Sequence, residues 1–374
     1  MTLPELLALM DMTPTIADIH PVSLCYLPSD ITVCDTATEV THLLDDPAIV
    51  LPGRFLIRTA DRHYDSRFPH VTCDHDPITH ELNDVLFTRY DEIAKHMLCQ
   101  SQLANRIVSE AGSCQLVVLL LVDGLSYRDV KGWDLFNSNT YAQLEPCLVD
   151  VPSVTRVAFP NIVNSPTIAE QLFDMGYHDR LGFTYWTRED NMLTDRLFFA
   201  ISETQKTNHF PNILAGLQDH FDKKHGSAKT FVQIIRTGLD GYAHSQKRHP
   251  PIKAILGAVE QELVRIADLC VELNQKYGWH INIHLTSDHG ILWFHEFDPV
   301  VIGTAPARAS ARWCYWRELY YQEEKGRQYL VGNEEYYCLD FPKLRRPPRI
   351  DEQGVHGGIS YQESVVPFIT LRIR

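Results

Sequence analysis

The segment Gln115 to Val122 is apolar at every position after the first and runs straight into Asp123-Gly124. Unbroken apolarity over one strand's length, closed by a turn signal, predicts a β-strand buried on both faces. A second run, Thr230 to Ile235, delivers the chain to Gly238-Leu239-Asp240. From Pro251 to Tyr277, residues Ile255, Val259, Leu263, Ile266, Leu269 and Leu273 recur every three or four positions, which predicts a long amphipathic helix. Trp279 to Leu285 then alternates, with Trp279, Ile281, Ile283 and Leu285 on one side and His280, Asn282 and His284 on the other. Strand, helix, strand implies a crossover and a parallel pair. Ligands of such sheets collect beyond the carboxyl ends of the strands, where Asp123, Asp240 and Asp288 all fall.

Weaker patterns fill in the remainder. Asn83 to Ala111 has helical spacing at Tyr90, Ile93, Met97, Leu103 and Ile107. Ser360 followed by Glu363 is a capping-box pattern, which predicts a last helix ending near Phe368. Before Asn83, two strand-like pieces, Ala48 to Leu51 and Arg54 to Ile57, stand between proline and aspartate punctuation. Residues 1–82 therefore read as an N-terminal segment, either a separate domain or an elaboration of the core, and residues 83–374 as the main α/β domain.

Composition narrows the class. The 374 residues carry 34 basic and 48 acidic side chains, a formal charge of −14, which disfavours broad attraction to nucleic acid or anionic lipid. The longest apolar stretch, Leu116 to Val122, is far short of a membrane span, and Met1 to His20 lacks the basic start and apolar run of a signal peptide. The nine cysteines are scattered without a CxxC pair, which argues against a disulfide framework or a cysteine zinc module. A soluble, unexported, cytoplasmic protein with reduced thiols and no membrane partner is expected. Against the acidic background, Lys343-Leu344-Arg345-Arg346-Pro347-Pro348-Arg349 and Lys247-Arg248 are local basic runs. They read equally as solvated loop charge or as a rim that contacts phosphate.

The chemistry-bearing residues stand in a particular order: strand, Asp123; loop, Thr155; strand, Asp240 with His244; strand, Asp288-His289; loop, His356-Gly357-Gly358. Carboxylates neutralise a divalent metal and imidazoles fix its geometry, and two such ions can clamp the attacking and leaving oxygens of a phosphoryl transfer. Asp240 and His244 are four residues apart, so one helical turn aims both to one side. Asp288 and His289 are adjacent, so a regular strand would send them to opposite faces; they need a bend, which Gly290 makes easy. Taken singly, each piece has an ordinary reading: Asp123-Gly124 as a turn, Asp288 as a helix cap, a lone histidine as surface. The ordered set outweighs those readings, whereas His209, His249, His280 and His284, among 18 histidines in all, read as structural or surface.

This constellation resembles the alkaline phosphatase superfamily of metal-dependent phosphoesterases, and within it the PglZ-type proteins, over residues 115 to 370. The PglZ likeness lies in Pro152-Ser153-Val154-Thr155 and in the closing GVHGGISYQESVVPFI, a phrase that also resembles the end of cofactor-independent phosphoglycerate mutases. The resemblance implies a three-layer α/β sandwich with a mostly parallel central sheet flanked by helices. It implies two divalent ions, one held by Asp123, Asp288, His289 and the Thr155 oxygen, the other by Asp240, His244 and His356. Three histidines suit Zn²⁺ or Mn²⁺, and relatives use either. It further implies a phosphoesterase in which Thr155 forms a phosphothreonine; Ser153 stands two residues before the position that matches. A threonine nucleophile resembles the nucleotide phosphodiesterase branch, so diesters such as nucleotides or oligonucleotides are the expected substrates. Arg156, Asn161 and Lys247 are candidates to contact nonbridging oxygens. Two alternatives accompany this reading. A phosphomutase would need a cap, for which Arg156–Leu239 and Gly290–Val355 leave only modest room; a noncatalytic scaffold in a defence or signalling complex would keep the fold without turnover.

Overall fold

The computed structural model describes residues 8–9, 15–19, 32–34, 55–58, 70–73, 80–95, 97–138, 142–163, 166–185, 205–224, 229–244, 252–318 and 326–374. The chain divides into two compact units, Met1–His96 and Met97–Arg374. The first contains a parallel sheet of β1 (Thr15–Ile19), β2 (Thr32–Cys34), β3 (Phe55–Arg58) and β4 (His70–Cys73), in the order β2-β3-β1-β4. The expected strand at Arg54–Ile57 is thus found one residue later, and Ala48–Leu51 lies outside the described residues. Two helices, His80–Thr88 and Tyr90–Ile93, follow.

The helical pattern over Asn83 to Ala111 does not form one helix. It breaks at β5 (Leu98–Cys99), which pairs in parallel with a strand further along, and resumes as the helix Gln100–Ala111. Helical spacing on both sides of the break hid a two-residue strand whose partner is distant in sequence.

The second unit is built on an eight-stranded sheet. In chain order its strands are β5, β6 (Leu116–Val122), β7 (Ala142–Leu148), β8 (Asp179–Tyr185), β9 (Gln205–Thr207), β10 (Thr230–Arg236), β11 (Ile281–Ser287) and a last strand, Val365–Ile373. Between β11 and that last strand, residues after Gly290 form short pairings: β12 (Leu292–Trp293) with β18 (Gly354–Val355), and β13 (Val300–Val301) with β17 (Lys343–Leu344). They also form a three-stranded antiparallel sheet of β14 (Trp313–Tyr315), β16 (Glu334–Leu339) and β15 (Gly326–Val331). The last strand is β19. The sheet order is β5-β7-β19-β11-β6-β10-β8-β9, with β19 antiparallel to both its neighbours and every other neighbouring pair parallel.

Alternate residues of β6 serve opposite cores. Val118, Leu120 and Val122 pack with Ile213 and Leu217 of the helix Phe210–Lys224 and with Val259, Leu263 and Ile266 of the helix Ile252–Tyr277. Val117, Leu119 and Leu121 pack with Leu103 and Ile107 of Gln100–Ala111, Phe159 and Ile162 of Thr155–Val163, and Leu172 of Pro166–Asp174. Helices on both faces of a mostly parallel sheet make this the three-layer α/β sandwich that the resemblance implies.

Two local expectations change. β10 and β11 run the same way but are not neighbours, because both pair with β6, so the crossover steps over one strand. The helix after Ser360 is capped as expected, with the Ser360 hydroxyl accepting from Glu363 N, yet it lasts only from Tyr361 to Ser364. β-Branched Val365 and Val366 and then Pro367 cannot extend it, and the segment joins the sheet as β19.

Candidate metal centre

Register sets the site. Val122 lies opposite Arg236 on one side and Ser287 on the other, so β6, β10 and β11 end level. Asp123 and Asp288 each follow their strand by one residue, and Asp240 opens the short helix Leu239–His244 that begins just beyond β10. The backbone joins these ends: Asp123 N donates to Arg236 O at 2.9 Å, and Gly124 N donates to Asp288 Oδ1 at 3.2 Å.

The chain leaves strand geometry after Ser287, and both Asp288 and His289 turn to one point. Asp288 Oδ2 stands 3.4 Å from His289 Nε2, and Asp123 Oδ1 3.7 Å from the same nitrogen. Gly290 matters here less as a bend than as a gap. A Cβ at that position would lie 1.8 Å from Gln362 O, and Gly290 N donates to Glu363 O at 2.9 Å. The loop carrying Asp288 and His289 is therefore pressed against the start of the segment leading to β19.

A second group forms beside it. His244 Nε2 and His356 Nε2 lie 3.1 and 3.2 Å from Asp240 Oδ1. The His289 and His356 rings stack with centroids 3.9 Å apart and planes 1° from parallel. Asp123, Asp288 and His289 bring ligand atoms close enough for one cation, and so do Asp240, His289 and His356. His289 belongs to both groups, and His244 joins the second through Asp240.

The nucleophile candidate lies in the same cluster. Thr155 opens the helix Thr155–Val163, and its Oγ1 is 3.2 Å from His289 Nε2. Ser153 does not face the cluster with a reactive hydroxyl. Its buried Oγ donates to Gly358 O at 2.8 Å and accepts from Gly357 N at 3.1 Å, while its carbonyl stands 3.0 Å from His356 Nδ1. Ser153 thus ties the His356 loop to the turn before Thr155. That loop needs Gly357, whose φ is +102° and whose Cβ would strike the Trp313 indole at 2.1 Å.

The donor chemistry fits divalent cations. Asp288 Oδ2 is a buried carboxylate oxygen without a hydrogen bond from the protein, a costly arrangement unless a positive charge meets it. Burial lowers the pKa of His289, more than Asp288 raises it, so the ring is neutral and able to ligate. Burial would raise Asp240, but His356 and His244 hold it well below the ordinary carboxylate range. Burial would lower His244; Asp240, with Glu352, outweighs it and raises the ring to about 9.

The other sequence-predicted contacts are not gathered here. Arg156 is exposed and its guanidinium donates to the Tyr315 hydroxyl. Asn161 is about 240° around the helix axis from Thr155, so the two do not share a face. Lys247 lies outside the described residues. The basic run 343–349 is neither a solvated loop nor a phosphate rim. Arg345 and Arg346 are buried, Arg345 donates to Trp313 O, and Arg346 and Arg349 pair with the buried Glu352.

Some contributors escaped sequence reasoning. Gln100 donates to Ser287 O at 2.9 Å and Asp288 O at 2.7 Å, across 187 and 188 residues of sequence. Glu363, held by the buried Arg312, accepts from Gly358 N at 2.9 Å. No local signal marks Gln100, whereas Glu363 was visible as a capping residue whose second role needs the fold. His284, read as structural, is buried and stacks on Phe368 with centroids 5.5 Å apart, and burial lowers its pKa to about 3.

No family model matches the chain, and no curated protein matches it. Solved structures similar to it include alkaline-phosphatase-superfamily proteins. An inactive variant of murine ectonucleotide pyrophosphatase/phosphodiesterase 5 in complex with AMP is 11% identical, with a TM-score of 0.44 over 68% of this chain and 87% of that chain. Phosphonoacetate hydrolase from Sinorhizobium meliloti 1021 in complex with phosphonoformate is 12% identical, with a TM-score of 0.43 over 69% and 90%. The C-terminal periplasmic domain of phosphoethanolamine transferase EptC from Campylobacter jejuni is 12% identical, with a TM-score of 0.37 over 70% and 80%.

Proposed function

We propose that this chain is a two-metal phosphoesterase of the alkaline phosphatase type, PglZ-like in its motifs, that acts in the cytoplasm on phosphodiesters through a phosphothreonine. The observation that carries the reading is the meeting of three aspartates, two stacked imidazoles and a threonine hydroxyl beyond the carboxyl ends of the central strands. In this reading Asp123, Asp288 and His289 hold one ion with the Thr155 oxygen, and Asp240, His244 and His356 hold the other. Three imidazoles among the ligands favour Zn²⁺ or Mn²⁺ over Mg²⁺ or Ca²⁺. When bound, the ions supply charge that acidifies the threonine hydroxyl and stabilises the attacking and leaving oxygens.

The chain's own residues do the remainder. Thr155 Oγ1 forms the bond to phosphorus as the bond to the first leaving oxygen breaks, and water then displaces the phosphothreonine to release the product and restore the hydroxyl. Thr155 at the first turn of its helix sets its hydroxyl beside His289. Gln100 and Gly290 keep Asp288 and His289 converged, and Ser153 keeps His356 Nε2 turned toward Asp240. A threonine at the nucleophile position supports diesters, nucleotides or oligonucleotides among them, by analogy with the nucleotide phosphodiesterase branch.

The test is hydrolysis of bis-p-nitrophenyl phosphate and p-nitrophenyl phosphate by the wild type and by Thr155→Ala, each stripped with chelator and refilled with Zn²⁺ or Mn²⁺. Diester turnover that needs both metal and Thr155 is expected. Activity that survives in Thr155→Ala, or no turnover of either ester with any metal, overturns the reading.

A further inference from the structure

The basic run before His356 has a role that neither solubility nor phosphate contact explains. Its centre is Glu352, whose side chain is fully buried. Arg346 grips it with both terminal nitrogens, Nη1 to Oε2 at 2.8 Å and Nη2 to Oε1 at 2.7 Å. Arg349 adds its backbone N to Oε2 at 3.1 Å and its guanidinium to Oε1 at 2.9 Å. The same Oε1 faces His244 Nδ1 at 3.7 Å, while the other nitrogen of that ring faces Asp240 Oδ1 at 3.1 Å. The imidazole is bracketed end to end by two carboxylates, one on the side of the candidate ion and one behind it. Its backbone is tied to the same loop: Gln353 N donates to Ala243 O at 2.8 Å, and Arg349 Nη2 to His244 O at 3.5 Å.

We infer that Glu352 is the outer carboxylate that orients His244 for metal, and that Arg349 opposes it by drawing on its charge, so that this loop sets the affinity of one ion only. The inference rests on the two-ion reading proposed above. A carboxylate behind a ligating imidazole fixes the ring and makes its far nitrogen a better donor. Two guanidiniums keep Glu352 ionised in its buried place, but they also spend part of its field. Arg346 is buried and structural, whereas Arg349 is 37% exposed and can be changed without opening the core. The two substitutions Glu352→Gln and Arg349→Gln should therefore act with opposite signs. A loop that merely propped up the fold would weaken binding in both.

The experiment is calorimetric titration of the chelator-stripped full chain with Zn²⁺ alone, for the wild type, Glu352→Gln and Arg349→Gln, with thermal unfolding of each metal-free protein recorded beside it. Glu352→Gln should weaken one ion by about ten- to a hundredfold and spare the other. Arg349→Gln should tighten that same ion by about two- to fivefold. In the Zn²⁺-loaded protein, the His244 ring-nitrogen resonances should shift in Glu352→Gln while those of His289 stay in place. Unchanged affinities in both variants, or weakening in both, overturn the inference. If Glu352→Gln fails to fold, Arg349→Gln decides alone: tightening supports the inference, and no change or weakening overturns it. A wild type that binds fewer than two ions overturns the two-ion reading itself, whereas two ions indifferent to both substitutions overturn this inference alone.

Discussion

The two halves of the candidate centre are built on opposite plans. Asp123, Asp288 and His289 sit at strand ends with side chains 5%, 0% and 0% exposed, whereas Asp240, His244 and His356 sit on a short helix and a loop at 21%, 32% and 14%. The first group is dry and gripped by backbone, through Gln100, Gly124 and Gly290. The second is wetter and held by charge, through Glu352 and its arginines. A preorganised dry site binds without rearranging, while a site held by a charge network can be tuned from its outer residues. The difference teaches that two neighbouring groups can meet at one imidazole, His289, and still answer to different parts of the chain.

The largest expected effect lies in the dry group. Asp288→Asn should lower kcat/KM for bis-p-nitrophenyl phosphate by about three orders of magnitude or more, and calorimetry should show the loss of at least one ion; two ions bound as in the wild type would break the comparison. His356→Ala should remove the second ion and leave the first in place, which titration with Zn²⁺ would resolve; equal loss of both would mean that the halves are one unit. Gly290→Ala should cost about 3 kcal/mol or more in urea unfolding, because a Cβ there meets backbone and not a movable side chain. Gly257→Ala, with nothing within 4 Å of the added Cβ and a helical setting, should instead stabilise by about 0.5–1 kcal/mol.

A pH experiment gives the most discriminating contrast. Asp129, in the short helix Tyr127–Val130 after β6, is pushed up to about 7, first by burial and then by the Glu296 carboxylate. Glu352 is pulled far down despite its burial, by Arg346 and its other partners. A carboxyl whose folded pKa is raised above its ordinary 3.8 stabilises fully below that pH, and the contribution is lost as pH rises through 7. Unfolding in urea between pH 4 and pH 8 should therefore show a loss of about 1–3 kcal/mol that is absent in Asp129→Asn. A profile identical in both proteins would remove Asp129 from the contrast.

Much of this arrangement was legible along the chain. Unbroken apolarity marked β6, a largely apolar run marked β10, and the three- and four-residue spacing marked the helix Ile252–Tyr277, because burial on two faces or on one stripe leaves a direct trace in composition. The turn signals after those strands located Asp123, Asp240 and Asp288. Reading failed where the deciding partner was remote. β5 is two residues long and exists only through its pairing with Cys147 and Leu148, and the last helix gives way to β19 because the sheet offers an open position between β7 and β11. The basic run looked like surface charge because Glu352, which buries it, cannot be recognised as its partner from spacing alone.

By itself the sequence singled out the candidate ligands and the kinds of element they lie on, since those follow from local periodicity and side-chain type. Only the tertiary structure decided that His289 stands in both candidate groups, that Ser153 and Gln100 bond to the loops carrying His356 and Asp288, and that an arginine-gripped glutamate lies behind His244. Those outcomes depend on strand register and on side chains meeting beyond the strand ends, and no local pattern encodes a distance between residues so far apart in the chain.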